Sequence, residues 1–207
     1  FLLLRKMATS YTRYVRRIHM YLALFLTPWV LMYAFSSLVF NHFATIRGWY
    51  GGDLNQFEKV DEFAYQADFA DDVTAADAAR QILIDLDMDG AHFVRSSLQD
   101  EAFTIMRQSP FAVRRVTYYA KRGTVVVEKQ VATAPNLLTR MHTRHGFVQP
   151  YASMKLWGLG VEIAVLAMLF WIASGIWLWW TIKPARMWGG ICALGGIGLF
   201  GLLMFSI

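Results

Sequence analysis

Residues 20–40 read MYLALFLTPWVLMYAFSSLVF, with no Asp, Glu, Lys or Arg among them. As a helix rising 1.5 Å per residue, this run spans about 30 Å, the thickness of a bilayer's hydrocarbon core. A single chain in lipid can pair all its backbone groups only as a helix. Further along lie two more apolar stretches, Met154–Ile182 and Trp188–Ile207, about 43 and 30 Å long as helices. A long polar block separates them from the first span, taken as Tyr21–Asn41. The sequence therefore predicts an α-helical membrane protein with three transmembrane helices.

Composition fits that class: 56% of residues are hydrophobic, 17% are charged, and eight Trp accompany nine Tyr and fifteen Phe. The net charge of +5 is unevenly spread. Arg5, Lys6, Arg13, Arg16 and Arg17 precede the first span, Lys183 and Arg186 separate the second from the third, and no acid accompanies these seven. The remaining thirteen Lys and Arg, up to Lys155, are mixed with fourteen of the fifteen acids. Positive flanks stay in the cytoplasm. Residues 1–20 are then a cytoplasmic basic segment, 21–41 the first span and 42–153 an extracytoplasmic region. Residues 154–182 form the second span, 183–187 a cytoplasmic loop and 188–207 the third span. The basic pI of 9.4 reports topology, and nucleic acid is not an expected partner. Phe1–Leu4 is too short for the apolar region of a cleavable signal peptide.

Within the polar block, Phe43–Val73 reads as a connector with a short strand at most. Thr74 can cap a helix over Ala75–Leu86, with Asp77 in its first turn and Ala78, Ile82 and Leu86 on one face. Strand-like segments follow at Phe93–Leu98, Ala102–Arg107, Val113–Tyr119 and Thr124–Val131. The last two are joined by Ala120–Gly123, where Gly123 is free to take positive φ. The expectation is one helix on a small antiparallel sheet, with Pro135 and Pro150 bracketing the return to the membrane. Asp85, Asp87 and Asp89 ahead of Gly90 mimic the start of a calcium loop, but Ser96 stands where the bidentate carboxylate is needed. A helix C-terminus ending on Gly90 explains the glycine equally well.

Arg16-Arg17-Ile18-His19-Met20-Tyr21 leads into the first span, which closes on Phe40-Asn41-His42. Leu138-Thr139-Arg140-Met141-His142 precedes the second span, which ends Gly175-Ile176-Trp177-Leu178-Trp179-Trp180. In this order the chain resembles the PepSY-associated transmembrane helix proteins over most of its length, with residues 74–131 similar to a PepSY domain. The resemblance implies a bacterial inner-membrane protein with a periplasmic α+β domain. Some larger relatives are iron-regulated membrane proteins with haem-linked ferric or siderophore reductase activity, usually with four spans rather than three. Other PepSY modules, in protease propeptides, are thought to inhibit peptidases.

Histidines carry the candidate chemistry. His42 ends the first span, and His142 and His145 precede the second, so two helix ends offer imidazoles to a haem iron. With the resemblance, haem b is the cofactor expectation, with His42 and His142 as axial ligands, His145 as the alternate, and His19 at the cytoplasmic edge needing a ligand from another chain. The bland alternative is that such histidines simply bond loops or headgroups. His92 reads as a surface residue. Glu162 is the one acid inside a span, where burial is costly, and pairing with Arg140, Arg144, Lys155 or a neighbouring subunit is its simplest explanation. Gly189 with Ala193, and Cys192 with Gly196, are small pairs at i, i+4 suited to close helix packing. Pro28 interrupts the first span, with Thr27 placed to bond backbone groups it frees. No complete catalytic set is present: the chain has no nucleophile elbow, zinc helix or phosphate loop.

Two functional expectations follow. The first is an accessory subunit whose periplasmic domain engages a protein or peptide while its spans dock with other membrane subunits or a second copy. The second is a haem-b protein of iron reduction or electron transfer.

Overall fold

The computed structural model describes residues 2–70, 72–109, 111 and 113–206, with the backbone alone for residues 2–10. Phe1 and Ile207, the outer ends of the first apolar run and of the third expected span, lie outside the described residues. In chain order the elements are α1 (Leu2–Asn41), α2 (Phe43–Trp49), β1 (Phe57–Ala64), α3 (Ala75–Asp85), β2 (His92–Val94), β3 (Phe103–Arg107), β4 (Arg114–Tyr119), β5 (Thr124–Gln130), α4 (Ala134–Thr143), α5 (Ala152–Thr181) and α6 (Arg186–Phe205). Three helices are long and apolar enough to cross a membrane, over Tyr11–Asn41, Ala152–Thr181 and Lys183–Phe205. The first begins well ahead of Tyr21, because the basic turns before it continue the same helix.

The chain divides into two compact units, Phe1–Val30 with Gly160–Ile207, and Leu31–Leu159. In the first, Leu26 of α1 packs into the notch left by Ala164 and Ala167 on α5, flanked by Leu22, Trp29, Met168 and Trp171. Small residues on one helix and a large one on its neighbour let backbones approach. Thr27 donates to the Ala23 carbonyl at 2.9 Å. The carbonyl that Pro28 deprives of a donor belongs to Leu24, so Thr27 serves the turn before the break. The turn from α5 to α6 is tied by Trp179 Nε1 donating to Ala185 O at 3.1 Å and Arg186 Nε to Trp180 O at 2.7 Å. None of α6 is buried.

The second unit holds a five-stranded antiparallel sheet in the order β1-β5-β4-β3-β2. Alternate residues of its central strands (Phe103 and Ile105, Val116 and Tyr118, Val125 and Val127) form one face, on which Ala78, Ala79, Ile82 and Leu83 of α3 pack. This is the expected helix on a sheet, with one strand more than the four expected: β1, in the stretch read as connector. α3 starts as expected, with Thr74 Oγ1 accepting from the Asp77 N–H at 3.2 Å. It ends earlier than expected, because Asp87 takes the left-handed conformation (φ 54°) and Met88 N–H reaches back to Leu83 O at 2.7 Å. Gly90 serves a different purpose: it takes φ 150°, a backbone conformation that residues with a side chain rarely adopt, beside the Arg107 guanidinium. Gly123 takes φ 60° in the hairpin, as expected. Pro135 sits in the first turn of α4, capped by Thr133.

Candidate functional site

Two histidines meet the same local arrangement, one in each unit. On α4, His142 is half-buried against the Tyr33, Ser36 and Phe40 face of α1, whose i, i+3, i+7 spacing leaves a small residue between two large ones. Its Nδ1 lies 2.6 Å from Ser36 Oγ. Tyr33 and Phe40 meet its ring edge-on, with centroids 4.8 and 5.3 Å away. Ser36 is fully buried. In the other unit, His19 of α1 has Nδ1 2.8 Å from Ser174 Oγ of α5. Its ring stacks on Trp171 at 5.6 Å and 15°. Gly175 gives it room, since a Cβ there would stand 3.2 Å from the imidazole Cε1.

Each serine also reaches a backbone carbonyl, Ser36 Oγ that of Tyr33 at 3.0 Å and Ser174 Oγ that of Trp171 at 2.9 Å. A hydroxyl has a single proton, to give either to that carbonyl or to the imidazole. Given to the carbonyl, it leaves the serine accepting from Nδ1–H and Nε2 with its lone pair; given to Nδ1, it leaves the ring hydrogen on Nε2. An outer hydrogen bond fixing one imidazole nitrogen while the other is offered outward is how ligating histidines are oriented on metals. On donor chemistry, His19 and His142 each fit one axial position of a haem iron.

The other candidates are placed differently. His42 is exposed and makes no side-chain cap on α2. α4 ends at Thr143 and Arg144 is extended, so His145 does not share a helical face with His142; it is exposed and lines a cavity described below. His92 corrects the surface reading. It is 8% exposed, with Nδ1 2.8 Å from Gly90 O, while its backbone exchanges hydrogen bonds with the Gln149 amide at 2.9 and 2.5 Å. The acidic loop before it is organised by Arg107, which donates to Met88 O at 3.3 Å and Asp89 O at 3.1 Å. Those carbonyls serve a guanidinium.

Glu162 is exposed on α5, beside exposed Ile163, Val165 and Leu166, and the ion pairs among the described residues do not include it. Arg140, one of its proposed partners, donates to Phe111 O at 2.8 Å instead. Of the small residues, Gly189 packs against Trp179, whose indole nitrogen a Cβ would overlap. Cys192, Ala193 and Gly196 are exposed, and a Cβ at Gly196 would meet nothing within 4 Å among the described residues.

Sequence reading missed Ser36 and Ser174. The signal was a small hydroxylated residue inside an apolar span, at Ser36-Ser37 and at Ser174-Gly175, where packing alone asks for carbon. Comparison with protein-family models, curated proteins and solved structures finds no match.

Proposed function

We propose that this protein is a membrane-embedded haem-b subunit of a cell-envelope electron-transfer or ferric-iron-reducing system. In this reading α1, α5 and α6 span a bacterial inner membrane, the N-terminus is cytoplasmic and the α+β domain, similar to a PepSY domain, is periplasmic. The observation that carries the reading is the pair of histidines, each tethered at Nδ1 to a serine hydroxyl and held between aromatic or apolar side chains. It raises the haem reading above the accessory role that the sequence favours by itself. His142 and His19 would each hold an iron axially. The second ligand of the His142 site would come from His42 or His145, and that of the His19 site from another chain. Bound haem supplies one-electron chemistry, while the protein supplies ring orientation and apolar walls that set the potential. The test is a visible spectrum of the detergent-solubilised chain made with haem in supply. A Soret band that weakens in His142→Ala and in His19→Ala, and is lost when both are replaced, is expected. A colourless protein, or a band indifferent to both substitutions, overturns the reading.

Glu162 favours a second, compatible reading: an accessory subunit whose spans dock with other membrane subunits or a second copy. An acid on an otherwise apolar helix face costs about 2.5–3.5 kcal/mol at mid-bilayer, and a partner helix bearing a donor or cation removes that cost. The open glycines at 195, 196, 198 and 201 allow such a helix to come close. Purification from native membranes in mild detergent should yield partner chains at fixed ratio, lost in Glu162→Leu. Recovery of a lone monomer from native membranes contradicts docking.

A further inference from the structure

A cavity of about 510 Å³ lies within residues 31–159, in the size range of small-molecule sites. Arg95, Arg140 and Arg144, with His92 and His145, line it, and no carboxylate among the described residues does. The other walls are largely apolar, Phe57, Val113 and Met154 among them.

Two of its lining residues have buried polar atoms without partners among the described residues. Arg140 uses Nη2 on Phe111 O, while its buried Nε and Nη1 have no partner there. Gln130 donates from Nε2 to Asn55 Oδ1 at 3.0 Å, while its buried Oε1 has none. Buried unsatisfied groups are rare because each forfeits its hydration, and charged ones forfeit most. The missing complement is an acceptor with negative charge for Arg140 and a donor for Gln130. The N–H groups are shielded from water, but Met106, Met141 and Met154 line the same cavity and are flexible enough to give way.

We infer that this cavity binds a small organic monoanion: a carboxylate set on Arg140, a neighbouring N–H or O–H given to Gln130 Oε1, and an apolar body along the methionine-lined wall. The inference rests on the proposed function only in treating the α+β domain as a ligand-facing part of the protein, and it requires no haem. The probe is N-octanoylglycine, which has all three features, titrated calorimetrically into the full chain in a non-ionic maltoside. Saturable binding at one site per chain is expected, at least tenfold weaker for the methyl ester, which keeps the amide and chain but loses the charge. Arg140→Gln should weaken acid binding at least tenfold, and Arg140→Lys should restore part of it. Equal affinity for acid and ester, unsaturable uptake into the micelle, or an Arg140→Gln chain that binds as the unaltered one does, each overturns the inference. The acid–ester comparison needs no variant, so it decides even if Arg140→Gln misfolds. The haem spectrum reads different residues, so either proposal can fail alone.

Discussion

Gly146 and Gly158 lie so close that a Cβ on Gly146 would be 2.4 Å from the Gly158 Cα, a contact no side-chain rotation can relieve. Beside them Trp157 Nε1 donates to Arg144 O at 3.3 Å, and the Arg144 guanidinium sits over the indole at 5.0 Å. Gly146→Ala must push this loop off α5, at a cost of about 1–3 kcal/mol by the usual penalty for overpacking. A lowered thermal midpoint in detergent checks this, and an unchanged one refutes it. A second residue-scale prediction concerns Asp89, whose carboxyl is held below the ordinary range chiefly by the Tyr151 hydroxyl, which donates to it at 2.7 Å. A carboxyl whose folded pKa is depressed adds stability above its unfolded value of about 4 and loses it as pH falls through the folded one. Thermal midpoints should therefore drop between neutral pH and acid, and drop less in Tyr151→Phe; an equal drop in both chains contradicts the tie. Little of this residue-level detail was legible in the sequence. His92 looked like a surface residue because its burial depends on Gln149, far along the chain. The serine tethers escaped because nothing local marks which apolar-span serine will face an imidazole.

At the scale of elements, helix starts and hairpins were legible and edges were not. α3 declares itself through Thr74 and Asp77, whose side chains also bond each other at 2.6 Å. Thr74→Ala should destabilise the α+β domain by about 1 kcal/mol, the usual worth of such a cap; denaturant unfolding that shows no shift would falsify the capping role. The central strands could be read because their core residues alternate. β1 could not, because it is an outer strand exposed along nearly its whole length, with Glu58, Lys59, Asp61 and Glu62 at its edge and an irregular register between Lys59 and Asp61. Charges on an edge strand discourage pairing with other chains, and they erase the pattern by which a strand is recognised. What attaches β1 is its pairing with β5, reinforced where Arg115 of β4 stands over Phe57 at 4.3 Å while forking onto Glu128 at 2.5 and 2.6 Å. α4 was missed for a different reason. Pro135 marks the return to the membrane in the sequence, yet it lies in the first turn of this helix, where its missing N–H has no partner to lose.

For the whole molecule, the three long apolar helices followed directly from hydropathy, since a continuous apolar run needs no tertiary context to be recognised. Two of them start close to where they were expected, and only the basic extension of α1 was underestimated. Orientation comes from charge asymmetry alone, and both the proposed haem positions and the ligand cavity take their compartment from it. The most direct measurement replaces Cys192 with Ser and exposed Lys121, in the β4–β5 turn, with Cys. A membrane-impermeant maleimide is then applied to intact spheroplasts and to inverted vesicles. Labelling in spheroplasts and protection in inverted vesicles is the predicted result. Labelling confined to inverted vesicles would place the α+β domain in the cytosol and contradict the account.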